Sequence, residues 1–577
     1  MQIPVLMSSI ASKATKLSAK AKSLASRSSL YLWTFRYLRP MQIAYMVVRR
    51  VINISPRLCE HIDPQTKTGF RLQNSICPEN NLLQGSTLTF LNTTIEFDQN
   101  DIDWGCEEYP KLWRYNLHYF DYLLDPDTHV DKDRILIDSW IENNPPGMED
   151  AWEPYTQSLR IVNWIKYFAT VYPNEVPQRW LYSLYQQAYY LEQQIEYHIL
   201  ANHYLKNGIA LLFAGTFFLG DDANRWRQKG MKIILEEAEE QLLDDGGHYE
   251  RSPMYHSIVT EDYLDVFNLL ESNDSFNSKQ DKLYIQDKCR KALDYLAMVL
   301  LPDGDIPLFN DSAFKIAPPP ESLFVYGSRL IDYQLPQTAE SQQIINLPNS
   351  GYYGVKNGHD MIIADFGEIA PDYQPGHGHC DLLSYELALN GKRIIVDSGV
   401  YDYQANAERK YCRSTKGHNT IMLNNQEQSE IWGVFRVARR AMPISPSILE
   451  NNASVVFSGG HSGYERQQRG RIHNRSIEIN DFSWIITDRI EGSGSCLIEN
   501  FIHLHPDISA AIEANKITLC NADGQMCAEI IYNGQVEASI EKSEWYPEFG
   551  KRIKNSMIVF SSQTQLPFEM EYVIKKV

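Results

Sequence analysis

Four short polar segments hold the residue types that proton-transfer chemistry requires. Asn202-His203 opens an apolar helical stretch, a position where the helix terminus favours an anion. DGGHYERSPMYH (245–256) is a glycine turn running into Tyr255 and His256 at the start of a second helical stretch. PGHGHCD (375–381) sets His377 and His379 among glycines just before a strand pattern, and RSTKGHNT (413–420) places His418 ahead of another. Each has a plainer use: Asn202 as a helix N-cap, Tyr255 as a core aromatic, and the histidines as satisfied imidazoles in a tight turn. The glycines beside the histidine pair favour a site, since they allow a ligand to approach the backbone closely. Arg160 and Arg251 are solitary positive charges near these segments and candidates for binding a carboxylate.

Several common chemistries are excluded by missing motifs. There is no GxxxxGK[ST] loop, no GxGxxG after a strand, no HExxH and no GxSxG. The net charge of −19 argues against general nucleic-acid binding, which rests on basic stripes. No uncharged apolar run is long enough for a spanning helix. The nine cysteines are scattered, with no CxxC pair, so neither a disulfide framework nor a thiolate zinc site is suggested.

The charge is uneven. Residues 1–59 hold ten basic side chains and no acidic one, which leaves −29 on the remainder. Lysines recur from Lys13 through Lys22, an order that a secretory signal does not have. The segment reads as a basic amphipathic arm that lies on anionic lipid, docks on the acidic body, or extends as a solvated helix.

The elements that must position the four segments fall into two blocks. Helical spacing marks Arg179–Leu200, Asn202–Phe218, Arg225–Leu243, Tyr255–Leu270 and Lys282–Leu301, with Gly208 and Gly215 placed for close helix approach. Successive helical pairs without strands imply a helical array or closed toroid. Beyond about residue 350, short strand patterns separated by Gly, Asn and Asp turns imply an antiparallel sandwich. The expected organisation is a basic helical arm at 1–60, a helical domain at 61–320, a linker at 321–350 and a β domain at 351–577.

Six segments in order give this chain a resemblance to the heparinase II/III-like polysaccharide lyases, including the related alginate lyases. They are LWRYNLHYFDYL (112–123), WEPYTQSLRIVNWI (152–165), NHYLKNGIALLFAG (202–215), DGGHYERSPMYH (245–256), PDGDIPLFNDSAF (302–314) and the stretch 377–403 beginning HGHCDLLSYELAL. The resemblance implies an α+β multidomain fold, an N-terminal (α/α) toroid followed by a C-terminal antiparallel β-sandwich. It implies cleavage of a uronic-acid polysaccharide by β-elimination. A base takes the C5 proton, donors stabilise the charge on the carboxylate, and an acid assists the 4-O leaving group. The family's roles map onto Asn202 and His203 for the carboxylate, Tyr255 as acid and often base, and His377 as the sandwich's contribution. A phenol is a poor base at its ordinary pKa of about 10, so it needs nearby cationic donors or a concerted transfer. The resemblance also implies a structural zinc, which here would be held by His379, Asp397 and His418; the alternative is a His–Asp pair bracing the loop of His377. No organic cofactor is implied.

The implied partner is an acidic polysaccharide, with no nucleic acid and with membrane-surface contact through the arm. The resemblance places the protein in the periplasm or cell envelope, whereas the arm's charge order favours the cytoplasm. Rival functions are a uronate C5-epimerase of capsule or exopolysaccharide synthesis and a non-catalytic glycan-binding homologue. An inverting glycosidase is a further rival; it requires two carboxylates, for which Glu250 and Asp311 are the candidates.

Overall fold

The computed structural model describes residues 27–577 apart from 52–55, 61, 78–81, 85–86, 99–101, 126–129, 274–277, 337–341, 452–453 and 481–482. The arm's four lysines at 13–22 lie outside the described residues. Among those described, no helix is long and apolar enough to cross a membrane.

The helical block runs from Lys111–Tyr119 to Pro320–Ile331. Pro154–Val171, Ala201–Phe217 and Pro253–Ser272 are buried around most of their circumference and form the inner layer. Val130–Asn143, Asp221–Gln241 and Lys279–Val299 bury one face and form the outer layer, while Gln178–Glu192 is buried as extensively as Pro154–Val171. The crossing of Ala201–Phe217 with Asp221–Gln241 depends on glycine, because a Cβ on Gly230 would lie 2.5 Å from the Gly208 carbonyl oxygen. Pro320–Ile331 falls within the expected linker, yet it packs on the Pro253–Ser272 and Lys279–Val299 helices and extends the helical block. The first strand of the β block is already formed at Gln343–Leu347.

The β block is built mainly on two antiparallel sheets, with a small two-stranded ribbon formed by Ile431–Trp432 and Arg436–Val437. A five-stranded sheet runs in sequence order from Gln343–Leu347 to Lys392–Ile395. A ten-stranded sheet is built on two long strands, Ser483–His503 and Ile553–Lys576, paired along most of their length. Ile362, Tyr385 and Leu387 of the first sheet share one core with Phe457, Ile486, Phe560 and Ile574 of the second. The fold is thus the expected toroid followed by a sandwich. The long 366–384 connection, anchored by the pairing of Ile363 with Glu386, leaves the sandwich edge and reaches the toroid.

The arm is seated on the acidic body, one of its expected placements. Its helices cover 27–36 and Pro40–Val51. Arg39 forms a two-point ion pair with Glu240 and lies over the Tyr373 ring at 3.8 Å. Tyr45 packs on Tyr197, Tyr31 packs on Trp432, and Arg440 lies over Tyr37 at 4.0 Å.

Candidate active site

The toroid and sandwich enclose a cavity of about 670 Å³ where they meet. Asn202, His203, Tyr255 and His377 all line it, although they come from three separate segments. Asn202 and His203 begin the Ala201–Phe217 helix directly after Leu200 and Ala201, two non-glycine residues in left-handed backbone (φ 64° and 54°). Such paired strain persists only where surrounding packing enforces it. No side chain caps this helix, so Asn202 is not acting as an N-cap.

His203 stacks on Tyr155 (centroids 4.3 Å apart), and its Nδ1 lies 3.1 Å from Glu196 Oε1. Asn207 donates to the other oxygen of Glu196 at 3.2 Å and accepts the Glu196 backbone N–H at 2.9 Å, which fixes that carboxylate. Burial alone would lower the His203 pKa, but the Glu196 carboxylate outweighs it and raises it. His203 is therefore poised to be cationic toward an incoming anion.

Tyr255 stands one turn into its helix, whose N-cap Ser252 accepts the Tyr255 N–H (3.2 Å) and donates to the Asp311 carbonyl oxygen (2.7 Å). The ring of Tyr255 packs on His377 with centroids 4.1 Å apart, and its hydroxyl lies 3.2 Å from that of Tyr403. Burial, then the neighbouring phenol of Tyr403, pushes the Tyr255 pKa well up. The group is a neutral phenol, suited to giving a proton. Of the two routes open to a tyrosine base, this raised pKa is the opposite of depression by cationic donors.

Asp311 is the hub that sequence reading missed, having entered only as a glycosidase candidate. Its Oδ2 lies 2.8 Å from His377 Nδ1 and its Oδ1 lies 2.8 Å from His379 Nε2. Arg409 closes on both oxygens, and Arg409 itself is stacked between Tyr403 and Phe435. Burial by itself would raise the Asp311 pKa; Arg409 and the two imidazoles outweigh it and hold the carboxyl well below the usual range. The ionised carboxylate accepts from His377 Nδ1–H, leaving Nε2, 3.6 Å from Glu250 Oε2, as that ring's free nitrogen. Burial raises the Glu250 pKa against the pull of His377 and His203. Because Asp311 is fully buried and committed to three cationic or N–H partners, it is not available as one of two glycosidase carboxylates. The visible signal was Asn-Asp within a Pro- and Gly-rich motif: Asn310 also accepts the His379 N–H and donates to the Arg251 carbonyl oxygen.

Two expected substrate-binding residues are not at the cavity. Arg160 is fully buried, donating to Gln187 Oε1 (2.8 Å), the Ala151 carbonyl (2.7 Å) and the His118 carbonyl (3.2 Å) while lying over Trp140. It is a strut within the helical block. Arg251 turns toward Glu368 Oε2 (3.2 Å) and the Asn349 carbonyl oxygen, and does not line the cavity. The glycine of the HGH segment also serves packing rather than a ligand. A Cβ on Gly378 would meet the Ile369 carbonyl oxygen at 2.6 Å.

Beneath the cavity, His379, Asp381 and His418 present ligating atoms within 4.8 Å of one another. His379 Nδ1, Asp381 Oδ1 and His418 Nε2 are buried and lack hydrogen-bond partners. The far nitrogen of each imidazole is held by a carboxylate, Asp311 for His379 and Asp397 for His418 at 2.7 Å. Carboxylate–imidazole pairs aimed at a common point are the usual outer support of a metal, so the donor set fits a small divalent cation. The expected ligand Asp397 is displaced by this geometry: its Oδ2 is on His418 Nδ1 and its Oδ1 accepts the Gly399 N–H. Asp381 Oδ1 completes the cluster instead, two residues after His379 in the same loop.

Residues 87–317 match the family description Heparinase II/III N-terminus, and residues 339–572 match Heparinase II/III-like, C-terminal. A heparin-sulfate lyase of Bacteroides stercoris is 25% identical over 420 residues, covering 67% of this chain and 59% of that protein. A heparin-sulfate lyase of Pedobacter heparinus is 26% identical over 312 residues, covering 50% and 47%. The chain thus spans between 47% and 59% of the length of the curated relatives it matches. The crystal structure of heparinase III superposes with a TM-score of 0.67 at 19% identity, over 83% of this chain and 79% of that one. A mutant of the heparan sulfate lyase HepC from Pedobacter heparinus gives 0.59 at 20%, over 84% and 80%. These two likenesses concern the toroid–sandwich fold. Both halves of the chain are matched, in order, and the protein belongs to the heparinase II/III family.

Proposed function

We propose that this protein is a polysaccharide lyase acting on an acidic, uronate-containing glycan of the cell envelope or capsule. The observation that carries the reading is the packing of Tyr255 on His377, with Asn202 and His203 lining the same cavity. Asn202 and cationic His203 bind the uronate carboxylate and stabilise the charge that develops there as C5–H breaks. His377 Nε2, its ring oriented by Asp311, accepts the C5 proton. The C4–O bond breaks as the C4=C5 double bond forms, and the neutral Tyr255 phenol donates its proton to the departing oxygen. Dividing base and acid between two touching rings removes the need for a tyrosinate in a site that raises the phenol's pKa.

The curated relatives are heparin-sulfate lyases, which supports the reaction class. Incubation with acidic glycans is expected to produce ultraviolet-absorbing unsaturated uronates without incorporating oxygen from labelled water. C5 hydrogen exchange with solvent at unchanged chain length would replace the lyase reading by the epimerase. Binding without either change would leave a glycan-binding homologue.

The same reading includes a structural zinc held by His379, Asp381 and His418, neutralising buried charge and bracing the HGH loop. Purified protein is expected to contain about one zinc per chain by metal analysis. His418→Ala should lose it and melt at lower temperature. Wild-type protein free of metal, with a melting temperature indifferent to chelator, would remove the zinc. On the arm, the outward face exposes Leu32, Ile43, Val47 and Val51 with Arg36 and Arg50, a combination suited to an anionic membrane surface.

A further inference from the structure

The charges of the cavity set its substrate apart from a densely sulfated chain. Four lysines line it, and each already faces a carboxylate: Lys166 with Asp265 (2.5 Å), Lys206 with Asp262 (2.6 Å), Lys111 with Glu153 (2.7 Å) and Lys315 with Glu548 (3.4 Å). Glu250, Glu261 and Asp121 add further acidic lining. No arginine lines the cavity among the described residues, and the neighbouring Arg409 is committed to Asp311. Sulfate esters stay ionised at all working pH values and are bound by uncommitted cations, arginine above all. Here the place that best fits an anion is the opening of the Ala201–Phe217 helix, where His203 pairs with Glu196 through one ring nitrogen, Nδ1. Tyr119, Tyr155, Phe435 and Phe549 supply flat apolar surfaces for sugar rings elsewhere in the cavity.

Resting on the lyase reading, we infer that the substrate is a non-sulfated glycan that brings a single carboxylate into the site between uncharged sugars. The test uses heparan sulfate and chondroitin sulfate oligosaccharides of defined length, each beside its fully desulfated, N-acetylated form. Binding is measured by calorimetry on Tyr255→Phe and turnover by ultraviolet absorbance on wild type. At least one desulfated member should bind about tenfold or more tightly than its sulfated partner, a difference of about 1.4 kcal/mol. Glu153→Gln, which leaves Lys111 only the longer contact with Asp150 (3.8 Å), should narrow that gap several-fold. Equal or tighter binding of the sulfated member overturns the inference, as does failure of every desulfated glycan to bind. Desulfated binding without any unsaturated product would overturn the lyase reading alone.

An independent set of contacts concerns the arm. Gln42 is buried, and its Nε2 donates to the Ile199 and Tyr373 carbonyl oxygens, each at 3.3 Å. Ile199 precedes Asn202 by three residues in the toroid, and Tyr373 precedes His377 by four in the sandwich. The Arg39 N–H holds Gln42 Oε1 at 2.9 Å, so one amide bridges the two loops that carry the reacting groups. The geometry points to Gln42 as a positioning residue, with the arm as a strap across the domain seam. In Gln42→Ala, backbone hydrogen exchange should quicken in both 196–203 and 372–379 while the distant Ser483–His503 strand is unchanged. On any glycan that turns over, kcat should fall about fivefold or more with KM unchanged. Unaltered exchange in either loop overturns the assignment, and so does a melting temperature that drops while kcat is preserved.

Discussion

Tyr255→Phe is expected to lower kcat by about 10²–10⁴-fold, the range that general acid–base groups contribute. KM should change little. The ring keeps its packing on His377, and the only contact of the hydroxyl among the described hydrogen bonds is with Tyr403 at 3.2 Å. Stability should therefore fall by no more than about 1 kcal/mol, as for one neutral hydrogen bond. Tyr403→Phe removes the same hydrogen bond from the other side and should cost far less activity, because Tyr255 keeps its proton. Comparable losses in both variants would mean that the phenol pair, and not Tyr255, donates to the leaving oxygen. Near-normal turnover by Tyr255→Phe on a glycan that wild type cleaves would end its assignment as the acid.

Asp311→Asn is expected to damage both fold and chemistry. The substitution keeps the shape but leaves Arg409, almost wholly buried, facing a neutral amide. Breaking a buried ion pair by removing one partner costs about 3–5 kcal/mol, which a denaturant midpoint would register. Two imidazoles also lose their orienting acceptor, at the proposed base His377 and at the proposed metal ligand His379. A fall in kcat accompanied by loss of bound metal is the expected joint result. An intact denaturant midpoint would show that Asp311 is not the hub its contacts describe.

Much of the fold was readable in order along the chain. Local periodicity placed the Ala201–Phe217 and Pro253–Ser272 helices within a residue or two at their starts, because burial on all sides leaves a dense apolar pattern. The two longest strands, Ser483–His503 and Ile553–Lys576, do not stand out as continuous patterns among the short ones expected there. Their outer portions alternate buried and exposed residues through glycine and polar interruptions that read locally as turns. All of Pro320–Ile331 but its first residue lies in the stretch expected to be linker, yet a proline is well tolerated in a helix's first turn.

The order of toroid and sandwich and the family were legible along the chain, and so was the choice of Asn202, His203, Tyr255 and His377 as candidates, since each lies in a contiguous segment whose residue types carry the signal. Only the tertiary structure decided what supports them. Asp311 meets His377 across 66 positions and Arg409 across 98, and no local pattern reports such a meeting. The same holds for Arg160 and Arg251, whose charges looked free until carbonyls and a carboxylate from other elements were found around them. Asp397, the expected ligand, is the same residue type as Asp381, and only its hydrogen bond to His418 Nδ1 distinguishes the two. A side chain's chemistry is written in its residue type, but its protonation and aim depend on partners that only folding brings within about 3 Å.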